Sequence, residues 1–424
     1  MTTTLQLHRP GLAALRSGFL AAAFWVAALV AVRGADWPQW RGPDENGIST
    51  ELLPDKPDFD KVSWRKQVGT GFSSVAVAEK RLYTMGHRGP KVGGTETVWC
   101  LNAESGAEIW THSYPAPLLD RFYEGGPGAT PTVRLGRVFT YSKHGRLHCY
   151  EAQTGKLVWQ RDMMAEAGLG EPPEWGFACS PYFLNDQTLI IEAGATFALE
   201  AATGKVLWQG ERFTPAYGTP KAFQVDGRKL LTVMKTEGLA VVDAGNGKTV
   251  ATVDWKTAFD TTATTPIVVG DRIFISTGYD RGCALFKLSE GRLQKIYENK
   301  RMANHMNNSV LVEGHLYGFD GTAHRGRPTE FVCMELATGT EKWRVPPSET
   351  LGCGSVMATA GGTLLILSER GELVSAPASP VGFKSTARAS VLGGKCWTVP
   401  VLTHGRIYCR NSRGDLVCVN LAAQ

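Results

Sequence analysis

The nine cysteines include no adjacent pair and no CxxC, so a vicinal disulfide, a thioredoxin-like redox pair and a cysteine-based zinc site all lack their residues. No GxSxG, HExxH or EF-hand pattern occurs. GGPG at Gly125 to Gly128 is followed by neither Lys-Ser/Thr nor a helical stretch, which excludes a phosphate loop. Charge of one sign is also scarce. The net charge is +5, but Arg9, Arg16 and Arg33 sit in the N-terminal stretch, and the remainder holds 42 basic against 40 acidic residues. That balance argues against nucleic-acid binding by bulk electrostatics.

The apolar run from Phe19 to Val32 is short of the roughly 20 residues that a spanning helix needs. It follows Arg9 and Arg16 and ends at the small residues Gly34 and Ala35, so residues 1–35 read as a secretory signal. No cysteine lies in or just after it to carry a lipid. The expectation is a periplasmic or secreted chain, monomeric, with no membrane span after the leader. With 43% apolar and 20% charged residues the rest is a folded protein, and 48 glycines with few helical stretches point to tight turns between strands.

Self-similarity organises nearly all of it. The phrase A-x-[ST]-G-x-x-x-W occurs at Ala103 to Trp110, Ala152 to Trp159 and Ala201 to Trp208, with degenerate copies at Ala244 to Ala251, Leu288 to Lys295 and Leu336 to Trp343. Its glycines, Gly106, Gly155, Gly204, Gly247, Gly291 and Gly339, recur at the period of one four-stranded unit. A second marker keeps phase with the first: Ser74-Val75, Thr130-Pro131, Ser180-Pro181, Thr219-Pro220, Thr265-Pro266, Ser309-Val310, Ser355-Val356 and Val399-Pro400. Each precedes two short alternating strands and a turn, as antiparallel sheet requires. Glycine closes the hairpin between third and fourth strands, and the tryptophan four residues on fills the wedge between radial sheets.

The fold class is therefore all-β, an eight-bladed β-propeller, with seven blades the alternative if Ser355 to Arg388 is not a full unit. The last unit lacks a Trp-bearing fourth strand, whereas Lys61 to Val68 carries Trp64 without preceding strands, so the N-terminal strand is expected to complete the C-terminal blade. Cys100, Cys149, Cys333 and Cys418 share one strand position that wants a small apolar side chain, whereas Cys179, Cys283, Cys353, Cys396 and Cys409 leave room for a bridge of unreadable connectivity.

On this period the repeated phrase resembles the docking motif of the quinoprotein-like (PQQ-like) β-propeller superfamily, over residues 61–424. Asp36 to Pro43 (DWPQWRGP) and Asn46 to Ser49, in an N-terminal extension over residues 36–60, are similar to the start of exported, BamB-like PQQ-repeat proteins. Trp175-Gly176, Gly278-Tyr279, Asn304-His305 and Leu316 to Gly318 also resemble that group. The superfamily holds PQQ-dependent alcohol dehydrogenases as well as the non-enzymatic assembly lipoprotein BamB. The enzyme reading implies a quinone in the channel, a Ca²⁺ with oxygen ligands and a carboxylate base. Lacking Cys-Cys and long loops, this chain is expected to hold neither PQQ nor Ca²⁺.

Function is therefore expected at a channel mouth, formed by the loops entering each innermost strand. The candidates are Arg121, Tyr123 and Glu124, then Trp175, Tyr217 and Asp260, then His305, Asn307, Asn308 and Trp397. No catalytic residue and no metal ligand is assigned. His144 and His148 flank a turn rather than pair on one face, and the basic segments His87 to Gly94 and His324 to Pro328 read as solvated turns open to an anionic partner. The expected function is a binding or scaffold module for a protein or another envelope component, with a small-ligand or carbohydrate binder as the alternative.

Overall fold

Among the described residues, alternating apolar runs separated by glycine turns fold into eight sheets of antiparallel blade strands arranged as a propeller, with almost no helix. The computed structural model describes residues 35–323 and 325–421, so the leader read at residues 1–35 lies, apart from Ala35, outside the described residues. Blade 1 runs Ala76–Ala78, Arg81–Arg88, Thr95–Asn102 and Glu108–Pro115 from the axis outward. Blades 2 to 6 repeat this order, their innermost strands being Thr132–Arg134, Tyr182–Asn185, Lys221–Val225, Ile267–Val269 and Val310–Val312. Blade 7 is complete, from Ser355–Thr359 to Ala387–Ser390, which removes the seven-bladed alternative. Blade 8 takes its outer strand from the start of the chain: Val62–Gln67 pairs antiparallel with Asp415–Asn420.

The burial of each strand follows from its place in this radial stack. Second and third strands are covered by neighbouring blades on both faces and are buried almost throughout, as in Thr188–Ala193 and Ala195–Glu200, whereas fourth strands such as Leu157–Asp162 are only partly covered. The fourth strand holds its blade to the next one. The Trp110 indole lies on Gly155 of the following hairpin and donates Nε1–H to the Ala152 carbonyl at 2.9 Å. Trp64 repeats this on Gly106 and Ala103, and Trp159 on Gly204 and Ala201. Trp208 covers Gly247. Tyr297 substitutes between blades 5 and 6, lying on Gly339 with its hydroxyl donating to the Leu336 carbonyl.

Opposite each of four docking tryptophans on the third strand stands a cysteine: Cys100 faces Trp110, Cys149 Trp159, Cys333 Trp343 and Cys418 Trp64. These four are fully buried. All nine cysteines are free thiols, so the room left for a bridge is not used, and burial raises their pKa values. Ring closure adds one buried cation. Arg410 donates from blade 8 to the carbonyls of Ser73, Met85 and Gly69 and to the Thr84 hydroxyl, and burial lowers its pKa to about 9.

Two measurements check these contacts. Gly155 has φ +71° and an added Cβ would lie 2.5 Å from the Trp110 ring, whereas Gly227, at φ +74°, faces open space. Gly227→Ala should cost about 1–2 kcal/mol for the left-handed backbone alone, and Gly155→Ala about 1–3 kcal/mol more for overpacking. Equal urea midpoints for the two variants would contradict the indole contact. The second concerns His148, buried between blades 1 and 2 beside His112, Tyr114 and Tyr150, with no partner for Nδ1 among the described residues. Desolvation, with His112 and Arg146 adding repulsion, pushes its pKa down to about 4. Its contribution is therefore full above the unfolded value near 6.5 and is lost as pH falls towards 4, by about 3 kcal/mol at most. Urea melts at pH 7 and 4.5 should show a smaller acid loss for His148→Gln than for the wild type.

Candidate functional site

Residues 36–51, which precede the first blade, occupy the propeller channel. Trp37 exchanges backbone bonds with Val77 of blade 1 at 2.7 and 2.8 Å, and the Pro38 carbonyl accepts from Val133 of blade 2. Trp40 Nε1 donates to Thr265 Oγ1 at 3.1 Å at the entry to blade 5, and Arg41 donates to the Ser309 carbonyl of the loop entering blade 6. Glu45 pairs with Lys221 of blade 4 at 2.5 Å. Ile48–Ser49 adds a parallel strand to the inner edge of blade 7, and Ser49 Oγ reaches the Leu402 carbonyl of blade 8. The turn depends on Gly42, at φ +81°, where a Cβ would lie 2.7 Å from the Trp37 ring. Segment 36–51 therefore binds inner strands all round the ring and fills the space between them.

Above this filling, on the face built by the loops that enter the inner strands and by the turns between second and third strands, lies a cavity of about 660 Å³ with Trp40 in its lining. One wall is a chain of aromatic contacts: Trp397 stacks on Phe72 at 5.5 Å, Phe72 meets Tyr123 at 5.5 Å, and Tyr123 and Phe122 each meet Trp175 at 5.7 Å. The facing cluster is Phe259 against Tyr279 at 5.2 Å and Tyr279 edge-on to His305 at 5.0 Å. Phe122 and Phe259 hold left-handed backbone, φ +64° and +65°, yet the two residues are 79% and 49% exposed. Strained backbone that presents an apolar ring to water gains nothing for the core, and such outliers concentrate at functional positions.

The charged lining is unequal. Arg121 pairs with Glu174 at 3.0 Å, and Glu174 is the cavity's one carboxylate. Lys143, 4% exposed, donates from Nζ to the Tyr123 hydroxyl and the Trp175 carbonyl. Burial lowers its pKa to about 8, partly opposed by the buried Glu96. Arg325 lies over the Phe259 ring at 4.3 Å and the Tyr279 ring at 5.9 Å.

Of the ten residues expected at the mouth, Arg121, Tyr123, Trp175, Tyr217, His305, Asn307 and Trp397 line this cavity. Glu124 does not line it and pairs with Lys395 at 2.8 Å. Asp260 is exposed on the short turn Ala258–Asp260, outside the lining. Asn308 is buried beneath, its amide exchanging hydrogen bonds with the Thr265 backbone. The lining also includes Trp40, Phe122, Lys143, Glu174, Phe259, Tyr279 and Arg325, which the loop rule did not single out. Of these, Trp40, Tyr279 and Arg325 stand in segments singled out in the sequence. In the segment read as a solvated basic turn, Arg327 is tied to Asp320 at 2.6 Å while Arg325 reaches the cavity; His324 lies outside the described residues. In the other such segment, His87 is buried and its Nε2 shares a hydrogen bond with the Ala116 carbonyl.

The superfamily's cofactor chemistry requires a calcium ion beside the quinone. Calcium takes six to eight oxygen ligands, mostly carboxylate and carbonyl. Among the described lining residues the only carboxylate is committed to Arg121, and the other charged groups, Lys143 and Arg325, are cations that repel a divalent ion. Nor do the described residues place three or more His, Cys, Asp or Glu side chains together to hold a metal. The residues present do not fit a calcium-held quinone.

Comparison with known proteins agrees with the fold. The family described as outer membrane protein assembly factor BamB matches residues 94–345. The quinohemoprotein alcohol dehydrogenase ADH-IIG of Pseudomonas putida is 29% identical over 171 residues, 37% of this chain and 22% of the enzyme, so the match spans about a fifth of that relative's length. Among solved structures, BamB from Moraxella catarrhalis aligns with a TM-score of 0.59 at 15% identity, over 87% of this chain and 99% of that one. The ADHIIG structure from Pseudomonas putida HK5 aligns with a TM-score of 0.58 at 13% identity, over 92% and 81%. At those identities the two structures speak for the propeller fold alone. With more than half of its length matched by that family and the fold shared, the chain belongs to the PQQ-like β-propeller family described as outer membrane protein assembly factor BamB.

Proposed function

We propose that the protein is an exported, non-catalytic binding module that captures a component of the cell envelope in the blind funnel at the channel mouth. The observation that carries this reading is the aromatic cavity above a channel filled by the chain's own residues 36–51. Rigid propeller faces with variable loops serve binding, and concave sites of this size, mostly apolar with a few convergent polar groups, are typical of ligand capture. Membership of the BamB family supports a scaffold role, and the leader-like residues 1–35 support export. Among the described residues no helix is long and apolar enough to cross a membrane.

Catalysis on the dehydrogenase pattern lacks support from the same cavity, because the one carboxylate among its described residues is held by Arg121 and the other charged groups, Lys143 and Arg325, are cations. The test has two arms. A photoreactive residue replacing Phe122 at the rim should crosslink to an envelope component in cells. The same residue replacing Val381, in the hairpin between the third and fourth strands of blade 7, should crosslink little, since such hairpins lie on the opposite face. Equal labelling from both positions would refute the funnel as the site. Titration with PQQ and Ca²⁺ should give no saturable binding and no dye reduction with alcohols; saturation with turnover would replace the binding reading by the enzymatic one.

A further inference from the structure

Resting on the funnel as a capture site, we infer that its ligand is an acidic carbohydrate whose carboxylate is received by Arg325 on one wall, with Lys143 on the other. Three features of the cavity lead to this class. Its two aromatic clusters line one cavity of about 660 Å³, volume enough for a pyranose, and aromatic faces take the apolar faces of a ring whose edges carry hydroxyls. The lining also carries the neutral polar side chains of Thr261, Thr322, Ser180 and Asn307, each already in a hydrogen bond within the protein and with capacity left for another, which suits sugar hydroxyls better than a purely apolar guest.

The third feature is the charge. Three cationic side chains line the cavity against one carboxylate, and that carboxylate is already paired with Arg121. The Arg325 guanidinium lies over the Phe259 ring at 4.3 Å and at the edge of contact with the Tyr279 ring at 5.9 Å, and no ion pair or side-chain hydrogen bond holds it among the described residues. Its neighbour Arg327 takes Asp320, Glu330 and Asp280 instead. The ring contacts hold the guanidinium at the cavity wall and leave its N–H groups without a carboxylate among the described residues, and such a fork can receive a carboxylate in two parallel bonds. Lys143 spends two donors on Tyr123 and Trp175 and keeps a third. Its charge is offset in part by Glu96 below, so Arg325 is the main reader. The left-handed backbone at Phe259 places the ring on which Arg325 rests, which gives that strain a purpose.

The test uses the purified protein and four uronate tetrasaccharides, of galacturonate, glucuronate, mannuronate and guluronate, each beside its carboxyl-reduced neutral counterpart, in calorimetric titrations at low salt. At least one uronate should bind about tenfold or more tightly than its neutral form, the size of effect expected for a hydrogen-bonded charge. Arg325→Ala should bring the two within about twofold, and Arg325→Lys should restore part of the preference by keeping the charge. Unchanged melting temperatures show that the variants are folded, as expected for an exposed side chain. Equal binding of acidic and neutral sugars, a preference that survives Arg325→Ala, or no binding by any of the four uronates overturns the inference. If the Phe122 position still crosslinks to an envelope component when the uronates fail, only the acidic class is wrong; if that labelling fails too, the funnel reading falls with it.

Discussion

The contact on which the molecule depends is an indole lying flat on a glycine of the next blade. It needs three residue types at once: a tryptophan on the fourth strand, a glycine in left-handed backbone where any Cβ would strike the ring, and a carbonyl from the preceding alanine to accept Nε1–H. The small residue across the strand ladder from the indole, cysteine in four blades and Ala198 opposite Trp208, leaves room for the ring. Because each blade clasps its successor, the contact is directional around the ring, and Trp64 closes it from the other end of the chain. Where the phrase decays, other devices stand in. Tyr297 takes the role between blades 5 and 6, and Trp255, under the Arg281 guanidinium at 3.5 Å, is buried beside the weaker joint after blade 4.

A ring held from outside still leaves an axis to fill. Inner strands present unpaired backbone groups towards the channel, and buried polar groups must find partners. Segment 36–51 supplies many of them, with bonds to carbonyls and amides of blades around the ring rather than to any one neighbour. Arg41, buried there with its pKa lowered to about 10 by desolvation, is stabilised by carbonyl oxygens instead of a carboxylate. The functional consequence follows from volume. With the axis occupied, the free space lies above it, as a funnel that has Trp40 in its lining and a rim of aromatic residues.

The same architecture separates stability from recognition. Blade contacts lie deep and apolar, so loops at the mouth can carry strain and unpaired charge without loosening the sheets. Phe122, Phe259 and Arg325 all use that freedom. The cations at the mouth do not reflect the net charge of the chain, which is nearly balanced; they come from the placement of a few side chains.

The residue string by itself determined the repeat, because strand alternation, hairpin glycines and docking tryptophans are local features that recur in phase. Blade number and closure by Val62–Gln67 followed from counting those features and noticing which unit lacked its fourth strand. Seven of the ten expected mouth residues line the cavity because they lie in loops entering inner strands, a topological fact legible from the markers. Tertiary structure alone decided the rest. Whether a loop side chain faces the cavity depends on backbone dihedrals and on the partner nearest to it, which is why Glu124 turns to Lys395 and Asn308 to Thr265, while Lys143 and Arg325 come inward. The insertion of residues 36–51 into the channel leaves no periodic trace, since its partners are backbone groups scattered over the whole chain and brought together only when the ring closes.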